Sequence, residues 1–325
     1  MTGGGGFLLR HATLLIFAAV VAFFGLQNPD FLTPESLGNI VKQASFIGIA
    51  AVGITFVLLT RGIDLSVGSA MYLGPLIAGF AMREAGVGVA GGLVVAALAG
   101  LGMGGLNALF IVRFNIAPFI VTLSTLFFFR GLGTLMTSSR QFDFDPSLLK
   151  FGLSSVLGVP LPIVFFAIAA LAAHVTLTRT TFGRQVYAVG ADLEAARKAG
   201  IRVGWVTARV YLISSAAASI AGFVLIAQIG RLDVAFGEGR EFDVIAAAVL
   251  GGASLFGGIG TAFGAVVGAT LIQTVKLGLV FTGVNLYLQP IALGAVIFLA
   301  VLADSLRMWR LQAAKRRTIR ATGSV

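Results

Sequence analysis

Ten apolar stretches, most of them close to the length that crosses a bilayer, dictate what this chain can become. They run over 11–26, 44–60, 66–82, 88–111, 116–137, 160–178, 206–230, 243–257, 261–282 and 287–303. A helix spans the hydrocarbon with roughly 17–25 apolar residues, because without water every backbone amide must be bonded inside the element itself. Composition agrees with lipid as the solvent. Of 325 residues 58% are hydrophobic and only 11% charged, against about 25% charged in soluble domains. So few charges cannot coat water-facing domains of this length. The sequence therefore predicts an all-α, polytopic transmembrane helical bundle of about 10 spans, forming a single domain over 1–325. The stretch 243–257 is the weakest, since Gly251-Gly252 and Gly257-Gly258 suggest a broken or half-spanning helix that neighbouring protein must protect. Arg10 and His11 precede the first run as in a signal peptide, but Ala22-Phe23-Phe24-Gly25 offers no small-x-small cleavage site, so that run reads as a retained span.

Charge placement gives an orientation. With a cytoplasmic N-terminus, fifteen of the 23 Lys and Arg fall on inside segments, six of them between 179 and 209 and six after 304. Six lie outside, Arg130 and Lys276 lie within spans, and the acids divide four inside to nine outside. The excess of inside cations predicts that both termini are cytoplasmic, with a cytoplasmic loop at 179–205 and a basic tail at 304–325. The absence of Cys excludes a disulfide scaffold, a thiolate metal site and a Cys nucleophile, and His11 and His174 alone cannot form a metal site. The Gly3 to Gly6 run follows no strand that could make it a phosphate loop. The 179–205 segment is the longest non-apolar one and too short for a core, so any energy source is expected to be a partner or an ion gradient.

That loop carries the most information. Asp192 is a natural N-cap, Leu193 to Ala199 are good helix formers and Gly200 is a natural stop, which predicts one short exposed helix. Ala195, Ala196 and Ala199 give it a small-residue face able to sit in a groove on another protein; a plain solvated, positive-inside loop is the alternative. In Gly62-Ile63-Asp64-Leu65-Ser66-Val67-Gly68-Ser69, Asp64 follows Arg61 by three residues, close enough for a pair, and the stretch reads as an inner gate or as an interfacial turn capped by Asp64 or Ser66. The glycines from 251 to 268 suggest either close helix packing or a broken helix beside a pathway. Polar residues within spans are the pathway candidates: Asn107, Thr122, Ser124, Thr125, Arg130, Gln228, Gln273 and Lys276, with Asn285 and Gln289 at the outer end. Most are neutral hydroxyls and amides, which suit a neutral sugar. Arg130 and Lys276 have no carboxylate nearby in sequence and are expected to snorkel to the outer interface. The spans are read as holding no Asp or Glu, which argues against a proton- or sodium-coupled carrier.

Three of these stretches also carry a family likeness. Gly190, Glu194-Ala195-Ala196 and Gly200-Ile201 resemble the coupling-loop signature of permease subunits of ATP-binding-cassette (ABC) importers, in the branch serving ribose, xylose, arabinose and galactose-type sugars. Gly62 to Ser69 and Leu250 to Thr261 resemble two further motifs of that branch, in the same order, and the likeness runs from about residue 30 to 305. The one departure is Ala191-Asp192-Leu193, where many relatives carry Gly-Asn or Asn plus an acid, a difference that bears on the choice of ATPase. The resemblance implies a non-catalytic transport subunit that binds no cofactor, with ATP and Mg2+ held by a partner ATPase. It implies ATPase coupling through Tyr187, Gly190, Asp192, Glu194, Ala195, Ala196, Gly200 and Ile201. With the polar inventory, it makes Asp64, Ser66, Asn107, Thr122, Ser124, Gln228, Gln273 and Asn285 the gate and pathway candidates. Expected partners are two cytoplasmic ABC ATPase subunits, an extracytoplasmic sugar-binding protein, a second permease chain (identical or closely related) and membrane lipid, with no nucleic acid, in the bacterial cytoplasmic (inner) membrane. Nucleosides, a furanosyl signal and branched-chain amino acids are alternative solutes, and a stand-alone secondary carrier or channel is the alternative class.

Overall fold

The computed structural model describes residues 12–288 together with 290–292, 294, 295, 298 and 302. Arg10, His11, Gln289, much of the expected 287–303 span and the 304–325 tail lie outside the described residues. In chain order the helices are α1 (Ala12–Gln27), α2 (Pro34–Leu59), α3 (Val67–Glu84) and α4 (Val89–Ala108, continued by a π turn at Leu109–Arg113), followed by α5 (Pro118–Thr137). Then come α6 (Pro146–Gly152), α7 (Leu161–Arg179), α8 (Thr181–Ala191), α9 (Leu193–Lys198), α10 (Val203–Ile229), α11 (Arg240–Leu250) and α12 (Ala262–Phe281). Among the described residues, strands are confined to two-residue ladders: β1 (Phe142–Asp143), β2 (Ser155–Val156), β3 (Val159–Pro160) and β4 (Arg231–Leu232), paired β1 with β4 and β2 with β3.

Among the described residues, six helices are long and apolar enough to cross a membrane, namely α2, α4 with its π turn, α5, α7, α10 and α12, and α1 is a shorter apolar one. The multi-pass, all-α expectation holds. The helix predicted from 44 begins ten residues earlier, because Thr33 accepts the Ser36 amide, Pro34 occupies the first turn and Glu35 complements the helix N-terminus. That polar first turn is invisible to a count of apolar residues.

The core lies where α10 packs on α2, α3 and α4. Small residues set these distances: a Cβ on Gly104 would stand 2.5 Å from the Tyr211 carbonyl oxygen, so the helices touch backbone to backbone. The outer faces of α4, α5 and α7 are apolar and exposed, including Leu98, Phe128, Ile168 and Leu171, as surfaces meant for lipid are.

The 243–257 stretch does not cross as a helix. α11 holds 11 residues, about 16 Å at 1.5 Å per residue, roughly half the hydrocarbon. The chain enters from the β1·β4 ladder as irregular backbone over 231–239 and reaches Gly237, which packs against the Gly68 carbonyl. Leu232 and Gly237 are buried there, while Arg231, Asp233, Ala235, Glu238 and Gly239 stay exposed. The glycine run both packs closely and interrupts the helix. Gly252, Gly257 and Gly258 take left-handed conformations in a loop between α11 and α12, while Gly264 and Gly268 bring α12 into contact with the Gly251 and Ala247 carbonyls.

Candidate functional site

At the start of α3 the chain buries a carboxylate. Asp64 Oδ1 accepts the Ser66 amide (3.0 Å) and hydroxyl (2.6 Å), and Oδ2 accepts the Ser214 hydroxyl (2.8 Å). Ser66 Oγ in turn accepts Asn107 Nδ2 (2.8 Å), and Asn107 Oδ1 accepts the Thr125 hydroxyl (2.7 Å). Thr122 donates to the carbonyls of Ile63 (3.2 Å) and Pro118 (3.0 Å). Asp64, Ser66, Asn107, Thr122 and Ser214 are fully buried. One chain of hydrogen bonds thus ties the 60–66 segment to α4, α5 and α10, with every link satisfied, the condition under which a buried polar network rigidifies its surroundings.

Four gate candidates therefore meet in one place. Ser214 was missed, although the Ser214-Ser215 pair inside an apolar span was a usable signal. The other four lie apart. Ser124 is exposed on α5 and returns its hydroxyl to the Ile120 carbonyl. Gln228 lines a cleft between α2, α10 and the 231–239 segment. Gln273 is buried within α12, and Asn285 is exposed and accepts the Tyr287 amide.

Arg61 does not pair with Asp64. Its left-handed backbone (φ 63°) turns the side chain the other way, where Nε and Nη2 donate to the Gly190 and Ala191 carbonyls at 2.7 Å each. Those are the last carbonyls of α8, where the helix dipole favours a cation. The Gly258 amide closes the junction on the Leu59 carbonyl (2.9 Å), and Tyr187 donates to the Gly260 carbonyl (2.8 Å). Burial pushes the Tyr187 phenol above its ordinary pKa, so it remains a donor. Two of the three motifs singled out in the sequence, those at Gly190 and at Leu250 to Thr261, meet at this junction, and Leu59 and Arg61 bring in the end of α2 just before the third. Gly190 allows it, since a Cβ there would stand 1.7 Å from the Leu59 carbonyl oxygen and 2.6 Å from the Gly258 amide. Gly190→Val is expected to push α8 off α2 and to cost roughly 3 kcal/mol, read as lost thermal stability together with lost uptake; unchanged values for both would show the contact to be dispensable.

The 179–205 loop holds the short helix expected after Asp192, α9, and a second helix, α8, before it. Asp192 caps α9 through the amides of Glu194 and Ala195 (3.0 Å each), and Gly200 (φ 80°) ends it, as expected. Its faces differ from the expectation. Ala196 is 3% exposed and packs inward against the bundle, with Ile201 at its edge, so it is no part of an outward small-residue face. Ala195 and Ala199, four residues apart, point outward, flanked by the exposed Glu194–Arg197 pair (2.9 Å).

The in-span cations do not snorkel. Lys276 bonds Asp243 (2.7 Å), with Arg240 3.5 Å from the same oxygen. Arg130 Nη1 donates to the Val234 and Phe236 carbonyls, and its guanidinium lies over the Tyr72 ring. Separation in sequence concealed these partners. Asp64, Glu241 and Asp243 are carboxylates buried in the bundle, so the argument from an absence of such groups fails. Because Asp243 keeps Arg240 at 3.5 Å when Lys276 is lost, Lys276→Met is expected to destabilise the chain by about 2 kcal/mol, and adding Asp243→Asn to restore part of it. A thermal-unfolding double-mutant cycle with no coupling would refute the pairing.

Residues 36–301 match the family described as "Branched-chain amino acid transport system / permease component". The chain belongs to this permease family. The permease is 36% identical over 303 residues to the ribose import permease protein of Bacillus subtilis (strain 168), covering 92% of this chain and 94% of that one. It is 33% identical over 299 residues to the D-allose transport system permease protein of Escherichia coli (strain K12), covering 91% and 92%. To the galactose/methyl galactoside import permease protein of the same strain it is 32% identical over 319 residues, covering 92% and 94%. No solved structure matches the permease.

Proposed function

We propose that this permease is the membrane subunit of an ABC importer that passes a monosaccharide inward, with ribose, allose and galactose the first solutes to test. The observation that carries this reading is the junction at which Arg61, Gly190 and Gly258 join α2, α8 and the glycine loop. A movement imposed on α8 and α9 by a cytoplasmic ATPase would pass through it to α2, and from α2 to the Asp64 network. A second permease chain would stand across the pathway, and an extracytoplasmic binding protein would dock at the end formed by the β1·β4 ladder and α6. The positive-inside charges support ten crossings of a bacterial inner membrane, with the 231–250 segment counted as one crossing made partly of irregular backbone.

The buried carboxylates favour hearing the secondary-carrier reading as well, and one experiment separates the two. In proteoliposomes with a cognate ATPase and a sugar-loaded binding protein, accumulation is expected to require ATP, and the permease alone is expected to respond to neither a proton nor a sodium gradient. Gradient-driven accumulation by the permease alone would replace the importer with the carrier.

A further inference from the structure

On the face where α4 and α7 stand exposed, a groove of about 460 Å³ runs between them, with α2 and α10 behind it. Its lining holds no charged residue. Along α7 it extends from Phe165 to Thr176, about 16 Å at 1.5 Å per residue and so roughly half of a 30 Å hydrocarbon core. That is the depth of one leaflet. We propose that the groove is a binding site for one anionic phospholipid, with an acyl chain laid along α7 and α10 and the phosphate held at Arg209 and Arg179.

What sets this groove apart from plain lipid-facing surface is its one charged end. On α10 the lining stripe from Ile220 to Ile213 continues one turn further to Arg209, and on α7 Thr176 is followed three residues later by Arg179. Residues three and four apart share a helix face, so both stripes finish in a cation at the same end. Ring contacts join that end to the groove. The Arg209 guanidinium lies 4.9 Å from the Trp205 ring centroid and 5.7 Å from that of Phe182, and Phe182 stacks on the groove residue Phe56 at 6.4 Å. Stacking holds the guanidinium in place and leaves its N–H edge, which can only donate, for an acceptor. Arg209 and Arg179 are exposed, and neither is in an ion pair among the described residues. A phosphate diester matches that fork of donors, and a basic site between spanning helices at the membrane surface is a known way to hold an anionic headgroup. Trp205, 56% exposed, is the kind of ring that settles at headgroup level. A zwitterionic headgroup would bring its own cation against the two arginines; an anionic one would not. In the orientation proposed above, the arginine end is cytoplasmic and the lipid comes from the inner leaflet.

Native mass spectrometry of the delipidated full chain, titrated with dioleoyl phosphatidylglycerol or dioleoyl phosphatidylcholine, tests the site. One phosphatidylglycerol per chain is expected to be held about 25-fold more tightly than phosphatidylcholine, from roughly 5-fold for each of two cations. Arg209→Gln is expected to cut that preference about 5-fold. Lys198→Gln removes an exposed cation on α9 that does not line the groove and is expected to leave the preference unchanged. Ala172→Trp fills the groove from an exposed position and is expected to weaken both lipids alike. Glycerol phosphate, a headgroup without chains, is expected not to compete. Melting temperatures in phosphatidylcholine nanodiscs check that each variant is folded; should Arg209→Gln fail there, Arg179→Gln carries the same expectation. Equal retention of the two lipids by the parent chain overturns the inference, as does an equal loss of preference in the Arg209 and Lys198 variants. An Ala172→Trp chain that binds as the parent does, or displacement of the lipid by glycerol phosphate, overturns it too, since either would leave the groove without a role.

Discussion

Asp64→Ala is expected to leave a chain that inserts but unfolds far more easily, whereas Asp64→Asn is expected to stay close to the parent. The carboxylate accepts three hydrogen bonds, from the Ser66 amide, the Ser66 hydroxyl and the Ser214 hydroxyl. Alanine strands all three donors in a site with no water contact. At about 1–3 kcal/mol for each unmatched group, and with hydroxyls partly able to turn to backbone carbonyls, a loss of roughly 3–4 kcal/mol follows. Asparagine keeps one oxygen for Ser66 and offers an N–H to the Ser214 hydroxyl, which can reverse its role. It also removes a charge that has no Lys, Arg or His within ion-pairing distance among the described residues. Thermal unfolding in nanodiscs checks both. An asparagine chain as unstable as the alanine one would mean that the charge itself holds the network, and a stable alanine chain would mean that the network holds little.

The two results bear on what a sequence can reveal about such a site. Asp64, Ser66, Asn107 and Thr122 were legible because a polar residue in an apolar span is rare and must find a partner. The partners were not legible, since Ser214 lies 150 residues from Asp64 and nothing local pairs them. Arg61 shows the same limit from the other side. Sequence spacing joined it to Asp64, but a left-handed backbone at residue 61 sent the guanidinium to the end of α8.

The long apolar helices and the capped α9 were legible, because apolar runs and caps are local, whereas α6 and α8 lie outside the apolar runs and were not. Boundaries failed where a helix continues beyond the lipid, as α2 does, and the crossing failed where tertiary contacts let the backbone leave the helix, as at 231–239. Orientation on a helix six residues long was not legible at all. Three alanines at 195, 196 and 199 look alike in sequence, and only the packing of α9 on the bundle distinguishes them.

That distinction decides how coupling is tested. Ala195→Arg is expected to leave insertion and thermal stability unchanged, because the side chain points away from the permease, and to abolish co-purification with the ATPase. An Arg forced into a groove shaped for a methyl group clashes and loses its hydration without a counter-ion, at a cost of about 3–5 kcal/mol, or roughly 100-fold or more in affinity. Ala199→Arg, one turn along on the same face, is expected to do the same. Ala196→Arg is expected to fail differently. Its side chain would have to enter the bundle beneath α9, so stability falls first and ATPase binding is lost only as a consequence. Measuring melting temperature and ATPase retention on the three chains separates the cases. Normal ATPase binding and uptake by Ala195→Arg and Ala199→Arg would remove α9 as the docking element and leave the exposed face of α8 to be tested in its place.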